Sequence, residues 1–150
     1  MKEYIITINE FFSLIVKVVK GLWNLLIIGI GAIVSFVFYI TGGQDKMMSC
    51  LLILMLVDYI SGIIKGVIKE ELNSKTGFKG LLKKLIMILV IVLAYQIDIL
   101  LNNKLALKTL MIGVLISNEG LSILENASIC GIPIPDKLKN ILEQYKNKRG

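Results

Sequence analysis

Long apolar segments alternate with short polar segments along this chain, and the pattern predicts a set of membrane-spanning helices. The segment from Leu22 to Ile40 carries no charged residue. At 1.5 Å per residue, a helix of this length crosses the roughly 30 Å hydrocarbon core of a bilayer. Further apolar segments run over 47–64, 85–101 and 105–124. The pattern therefore predicts an all-α integral membrane protein with four transmembrane helices in a membrane domain over 21–128.

The fourth apolar segment is the weakest because it contains Lys108, Asn118 and Glu119. A charge near the centre of a spanning helix costs about 2.5–3.5 kcal/mol on insertion scales, whereas each large aliphatic residue contributes about 0.3–0.6 kcal/mol. About ten aliphatic residues therefore roughly offset the penalty. We predict a marginal span that neighbouring helices stabilise more than lipid does, and the sequence leaves open whether it crosses fully.

Residues 1–20 precede the first span and show a different pattern. Apolar residues recur at helical spacing on one face and charged residues occupy another, which is typical of an amphipathic helix in the membrane interface. A second interpretation, in which this segment extends the first spanning helix, fits the pattern equally well. The apolar positions are Tyr4, Ile5, Ile8, Phe11, Phe12, Ile15 and Val19.

The chain after the fourth span is predicted to be a basic tail over 129–150. Gly131 is expected to cap the preceding helix, Pro133 and Pro135 to break it, and Pro135 to begin a new helix. An amphipathic tail of this kind binds the anionic inner leaflet of a membrane, and a disordered charged tail is the alternative. The basic residues of the tail are Lys137, Lys139, Lys146, Lys148 and Arg149.

The net charge of +6 changes the picture only through its distribution. Basic residues lie beside the apolar segments, which indicates orientation in a membrane rather than binding of nucleic acid. The linker over 65–84 holds six lysines and two glutamates, while the turns at 41–46 and 102–104 hold one lysine each. Because positive residues are retained on the cytoplasmic side, we predict a multi-pass protein of the bacterial cytoplasmic membrane with both termini inside.

The sequence offers no candidate for catalysis, metal binding or cofactor binding. It has no histidine, the commonest general base and metal ligand. Cys50 and Cys130 are too far apart to form a metal-binding motif. Gly77-x-x-Gly80 lies in the basic linker without a preceding strand, so we interpret it as a turn rather than a phosphate-binding loop. We therefore expect a protein that is not an enzyme and uses no cofactor.

Polar residues inside the spans are the candidate functional residues, because charges are costly in hydrocarbon. Asp58, Ser61, Gly62 and Lys65 share one face of the second span and are expected to face other helices or water. Gly62-x-x-x-Gly66 and Gly31-x-x-x-Ser35 are patterns that permit close helix approach. The full set of oligomer or pore candidates is Asp58, Ser61, Gly62, Lys65, Asp98, Asn118 and Glu119.

Two of these carboxylates, Asp58 and Glu119, are predicted to lie at a similar depth near the inner ends of their spans, with Asp98 toward the opposite face. Carboxylates that lie close together repel one another when both are ionised, so one should be protonated or paired. Long lysine side chains can reach this depth. The sequence leaves open whether the acids hold helices together within one chain or form contacts in a pore or oligomer. The lysines available as partners are Lys65, Lys83 and Lys84.

Two ordered motifs carry a family resemblance. The first is Leu56-Val-Asp-Tyr-Ile-Ser-Gly-Ile-Ile-Lys65, continued by Leu72-Asn-Ser-Lys-Thr-Gly-Phe-Lys-Gly80 and Lys83-Lys84 as far as Asp98. The second is Asn118-Glu-Gly-Leu-Ser-Ile-Leu-Glu-Asn126, followed by Cys130-Gly-Ile-Pro-Ile-Pro-Asp136. Over roughly residues 50–142 the chain resembles the toxin-secretion/phage-lysis holin family (the phage holin 4 family), whereas the first 45 residues carry no signature of it.

The resemblance implies a function that hydropathy does not show. Holins accumulate in the cytoplasmic membrane and then form homo-oligomers that open non-specific lesions, which release an endolysin or a toxin. The implied partners are further copies of the chain and membrane lipids, and a separate antiholin stays open. The alternatives are a small-solute channel and an antiholin-like membrane regulator that opens no hole by itself.

Overall fold

The computed structural model describes residues 2–102 and 104–147, and most of them lie in five helices. The described residues contain no strand, so the predicted all-α fold is confirmed. By length and composition, the first four helices could each cross a membrane. Residues 148–150 of the predicted basic tail lie outside the described residues. The helices are α1 Lys2–Ile40, α2 Lys46–Ile68, α3 Ser74–Leu100, α4 Leu107–Ile129 and α5 Asp136–Asn147.

The chain divides into two compact units, Met1–Tyr39 and Ile40–Gly150, of which the first consists of α1. This helix runs over 39 residues without a break at residue 20. Residues 2–20 therefore continue the helix of the first span, as in the second of the two interpretations above. Their position relative to the bilayer stays a prediction. Side chains from Glu10 to Phe36 are exposed, so their apolar surface is available to lipid or to other helices.

The second unit is built on α4, which packs most extensively against α2 and also contacts α3 and α5. Its core is formed by one stripe of residues from each of three helices, at the spacing of three or four residues that defines a helix face. On α3 the same stripe begins with Lys84 and ends with Asp98, so both charged side chains point into the protein. The buried apolar residues are Met48, Leu51, Met55, Met87, Ile91, Ala94, Ile112 and Leu115.

The linker between the second and third spans is mostly helical, so the helices extend beyond the predicted spans. The helix α3 begins at Ser74 rather than at residue 85, because Asn73 caps it by accepting a hydrogen bond from the Lys75 N–H at 2.9 Å. Lysine favours helices, and single glycines are tolerated within them. Gly77 and Gly80 therefore lie inside a helix, and the predicted turn at these residues is wrong.

The predicted glycine cap at the end of the fourth helix is confirmed. The helix α4 itself continues to Ile129, five residues beyond the predicted span. Gly131 has a φ of +86°, a conformation that suits glycine after a helix C-terminus. The N–H of Ile132 donates to the carbonyl oxygen of Ala127 at 3.1 Å and closes the helix end. The basic α5 then begins directly after Pro135.

Candidate functional site

Three helices of the second unit meet around the ammonium group of Lys84. Its Nζ donates hydrogen bonds to Oδ2 of Asp58 on α2, at 2.7 Å, and to Oε2 of Glu119 on α4. Lys84 is 8% exposed and Glu119 is 1% exposed. Lys84 and Glu119 are therefore buried and Asp58 is half-buried, and the ionic contact lies inside segments that are apolar enough to span a membrane.

Asn126 and Ser61 extend this contact into a five-residue network, which we call the charge cluster: Asp58, Ser61, Lys84, Glu119 and Asn126. The Nδ2 of Asn126 donates to Oγ of Ser61 at 3.0 Å and lies 3.4 Å from Oδ1 of Asp58. The Ser61 hydroxyl donates to the backbone oxygen of Asp58 at 3.0 Å. The cluster thus joins α2 to α4 directly and to α3 through Lys84.

Gly62 lies on α2 beside Asn126 of α4, at the charge cluster. A methyl group at this position would lie 3.8 Å from Nδ2 of Asn126, which is ordinary van der Waals contact. Alanine would therefore fit, whereas a leucine side chain would displace Asn126 from its hydrogen bonds. The close approach predicted for this face occurs here between two helices of one chain.

The electrostatics of the charge cluster follow from its composition. One ammonium between two carboxylates has a net charge of −1 when all three are ionised. Burial of such groups is costly, and attraction compensates for it only where the geometry is good and the remaining polar atoms are hydrogen-bonded. Within the described part of the chain, no buried side-chain nitrogen or oxygen lacks a hydrogen-bond partner. The cluster therefore fixes how three helices pack, and removal of Lys84, the cation that both carboxylates share, should be costly.

The structure brings together four of the seven residues that the sequence singled out. Asp58, Ser61, Gly62 and Glu119 meet at the charge cluster, where both acids contact one lysine. The depth of the two acids in a bilayer stays a prediction. Asn118 is half-buried next to Glu119 on α4. The contacts described here are within one chain, so a role of these residues in an oligomer or a pore stays a prediction.

The lysine partner of the acids is one of the three that the sequence offered. Lys84 pairs with both acids, Lys83 is exposed, and Lys65 is half-buried and lines a neighbouring cavity. Lys84 is also one of the linker lysines whose positive charge predicts the orientation in the membrane. Because Lys84 is buried and paired with acids, it does not add to the exposed positive charge of that linker.

Sequence reasoning missed Asn126 as a member of the charge cluster. The available signal was its spacing, because Asn126 follows Glu119 by seven residues, which is two helical turns on the same face. Helical spacing also indicated that Lys84 of α3 points into the protein. Lys84, Met87, Ile91, Ala94 and Asp98 form one helical stripe, which placed the lysine on the face that is otherwise apolar.

Asp98 lies apart from the charge cluster and caps the start of α4. Its carboxylate accepts hydrogen bonds from the N–H groups of Leu107 and Lys108, at 2.7 and 2.8 Å. The cap residue of α4, Ala106, has a left-handed φ of 51° and no side chain that could satisfy these donors. A negative charge at a helix N-terminus is also favoured by the helix dipole. Asp98 therefore has a structural role within the chain.

The same end of the bundle contains an ion pair between Lys108 and Asp45, with Nζ and Oδ2 2.6 Å apart. The lysine also lies over the Tyr95 ring, 5.6 Å from its centroid. Lys108 thus lies in the first turn of α4 and not near its centre, where a charge is most costly to insert. Gly42 lies against the same ring with a φ of +90°, and a Cβ there would overlap Tyr95.

Asp45 gives this end of the bundle a sensitivity to acid. Burial opposes its ionisation, but hydrogen bonds from Lys108 and from the Met48 N–H outweigh burial and hold the pKa of Asp45 below its ordinary value of 3.8. A carboxylate with a lowered pKa stabilises the fold above its ordinary value, and this contribution disappears as the pH falls through the pKa in the folded state.

We therefore expect Asp45→Asn to be less stable than the unaltered protein at neutral pH. The difference in stability between the two proteins should narrow as the pH falls below 3.8. Unfolding of the purified protein in detergent, followed by circular dichroism across this range, measures the gap. Glu125→Gln removes an exposed carboxylate of α4 and should show no gap at either end. A gap for Asp45→Asn that stays constant with pH would contradict the assigned role of the ion pair.

Comparison with known proteins gives the chain a family. A model of the bacteriophage holin family matches residues 35–147, which include the whole charge cluster. An uncharacterized 14.9 kDa protein in the nagH 3′ region of Clostridium perfringens is 39% identical over 124 residues, or 82% of this chain and 92% of that protein. An uncharacterized protein of Listeria monocytogenes is 36% identical over 83% of this chain and 86% of its own length. No solved structure matches. The resemblance inferred from the two motifs is confirmed, and this chain belongs to the bacteriophage holin family.

Proposed function

We propose that this chain is a holin that assembles with copies of itself in the cytoplasmic membrane and opens non-specific lesions. Such lesions would release an endolysin or a toxin from the cell. Family membership supports this proposal, and the observation that carries it is the charge cluster buried within the spans. A protein that first keeps the membrane closed and later admits water needs polar groups that are paired with one another in the closed state and solvated in the open state.

The charge cluster fits both states. In the closed chain its groups satisfy one another away from lipid, which would otherwise make them costly. The attraction between the charges falls steeply as water raises the effective dielectric around them. Entry of water between α2, α3 and α4 would therefore weaken the contact and solvate the same groups as part of a wet wall. We infer that the clustering of chains provides the water-filled space in which this exchange occurs.

The first helix supplies surface for assembly. Its side chains from Glu10 to Phe36 are exposed and mostly apolar, and they include the Gly31-x-x-x-Ser35 pattern that permits close contact between spanning helices. Contacts between copies can replace lipid at little cost, because packing rather than the hydrophobic effect decides helix association in a bilayer.

Induced expression of the chain alone in bacteria tests the proposal. We expect an abrupt collapse of membrane potential after a delay, together with release of a co-expressed endolysin of known size and lysis of the culture. A small-solute channel would collapse the potential but retain the enzyme. An antiholin-like regulator would do neither when expressed alone, so each alternative gives a different result from a holin.

The proposed orientation has both termini in the cytoplasm, because positive charge is retained there. Single cysteines are introduced at Gln44, Lys75 and Lys139 in a chain from which Cys50 and Cys130 have been removed. A membrane-impermeant thiol reagent added to intact cells should label position 44 and should fail at positions 75 and 139. All three should react after the cells are permeabilised. External labelling at position 139 would place the basic tail outside and overturn this orientation.

A further inference from the structure

A partly enclosed cavity of about 600 Å³ lies beside the charge cluster and has not been assigned a role above. One end is formed by Asp58 and Lys84, and the other by Lys69 and Asn73 at the loop between α2 and α3. This second end lies where one candidate span finishes and the next begins. In a membrane the cavity would therefore reach from the level of the lipid headgroups into the protein.

The cavity exists partly because glycines occupy positions where side chains would fit. A Cβ at Gly77 or Gly80 would meet only Tyr59, at 3.6 and 4.0 Å, and one at Gly62 would meet only Asn126, at 3.8 Å. Each glycine inside a helix costs about 1 kcal/mol relative to alanine. Since close packing does not require these three glycines, the space they leave is more simply explained by an occupant than by helix contact.

The chemistry of the walls identifies the class of occupant. The charged lining residues are Asp58, Lys65, Lys69, Glu71 and Lys84. Because Asp58 and Lys84 pair with each other, two lysines remain against one glutamate, and the wall keeps an excess of positive charge. Lys75, Lys79 and Lys83 are exposed on α3. Each directly precedes a lining residue in the sequence. A basic pocket between spanning helices at headgroup level is complementary to a lipid phosphate. The apolar part of the wall consists of Ile63, Leu72 and Ile129, which suits an acyl chain.

We propose that this cavity binds the headgroup of an anionic phospholipid. The phosphate lies between Lys65 and Lys69, and an acyl chain follows the apolar wall. Because α2 and α3 contact each other far less than either contacts α4, the bound lipid completes the packing between these two helices. The proposal does not depend on lesion formation, since a closed or an inactive chain would bind the lipid equally well.

Lipid retention by the purified full-length chain tests the site. The protein is delipidated, incubated in detergent with either phosphatidylglycerol or phosphatidylcholine, and analysed by native mass spectrometry. We expect a bound phosphatidylglycerol and no retained phosphatidylcholine. Changing Lys65 and Lys69 together to glutamine should weaken binding about 30-fold, which corresponds to about 1 kcal/mol for each lysine. The matched control changes Lys137 and Lys139 of the tail to glutamine, removes the same charge, and should retain the lipid.

Two further experiments distinguish a specific lipid site from non-specific electrostatic attraction between the lysines and anionic lipid. Gly80→Leu fills the cavity without altering charge and should also abolish retention, while circular dichroism confirms that the variant is helical. Inorganic phosphate at millimolar concentration should not displace the lipid, because it lacks the acyl chain. Equal loss in the tail control, retention by Gly80→Leu, or displacement by phosphate would each overturn the assignment of a lipid site.

Discussion

Replacement of Lys84 by methionine is expected to lower the free energy of unfolding by about 3–5 kcal/mol, the usual cost of removing one partner from a buried ionic contact. Methionine keeps the apolar length of the side chain and removes only the ammonium group. Asp58 and Glu119 would then face each other without a cation, and Glu119 is 1% exposed. Denaturant unfolding in detergent, followed by circular dichroism, measures the loss.

The neighbouring lysine provides a matched control. Lys83→Met makes the same chemical change one residue away, at an exposed position, and should alter the unfolding free energy by less than about 0.5 kcal/mol. A rescue variant combines Lys84→Met with Asp58→Asn and Glu119→Gln. Because replacement of a whole buried ionic group by neutral residues is often harmless, we expect most of the stability to return. Equal losses at positions 83 and 84 would refute the central role of Lys84.

The sequence predicted the fold closely because the membrane imposes few solutions. Backbone polar groups in hydrocarbon must be satisfied within a segment, so a long apolar stretch such as 22–40 can hardly be anything but a helix. The boundaries were less predictable. Residues 74–84 are charged and contain two glycines, yet they continue α3 because Asn73 caps it and because the face that bears Lys84 is buried. Hydropathy does not register such a cap.

The acids of the charge cluster were predictable, whereas the sequence narrowed their cation only to Lys65, Lys83 or Lys84. Asp58 and Glu119 stood out because charges are rare in apolar segments. Lys84 lay among six linker lysines, and its place on the apolar stripe of α3 could be recognised only if the helix was known to extend that far toward its N-terminus. The partners of Asp98 could not be predicted for a different reason, because they are backbone N–H groups at residues 107 and 108. A sequence pattern does not show which backbone donors a tertiary fold leaves unsatisfied.

The two acids of the charge cluster are expected to control the timing of lysis, if the chain acts as the proposed holin. With ordinary charges, Asp58, Lys84 and Glu119 carry a net charge of −1 in the closed chain. Asp58→Asn or Glu119→Gln alone leaves Lys84 with one carboxylate and a net charge of zero. Each single variant should therefore stabilise the closed state and delay lysis at equal protein level.

The double variant, Asp58→Asn with Glu119→Gln, is expected to reverse the direction of this effect. Lys84 is then a buried cation without a counter-ion, which destabilises the closed state, so lysis should begin earlier than with the unaltered chain. Residues within one ionic network are coupled by about 0.5–3 kcal/mol, so the double effect should differ from the sum of the single effects. Culture density and membrane potential, followed after induction, give the timing, and Glu125→Gln controls for loss of an exposed acid of α4. Unchanged timing in both single variants would mean that the acids only hold the helices together and do not regulate lesion opening.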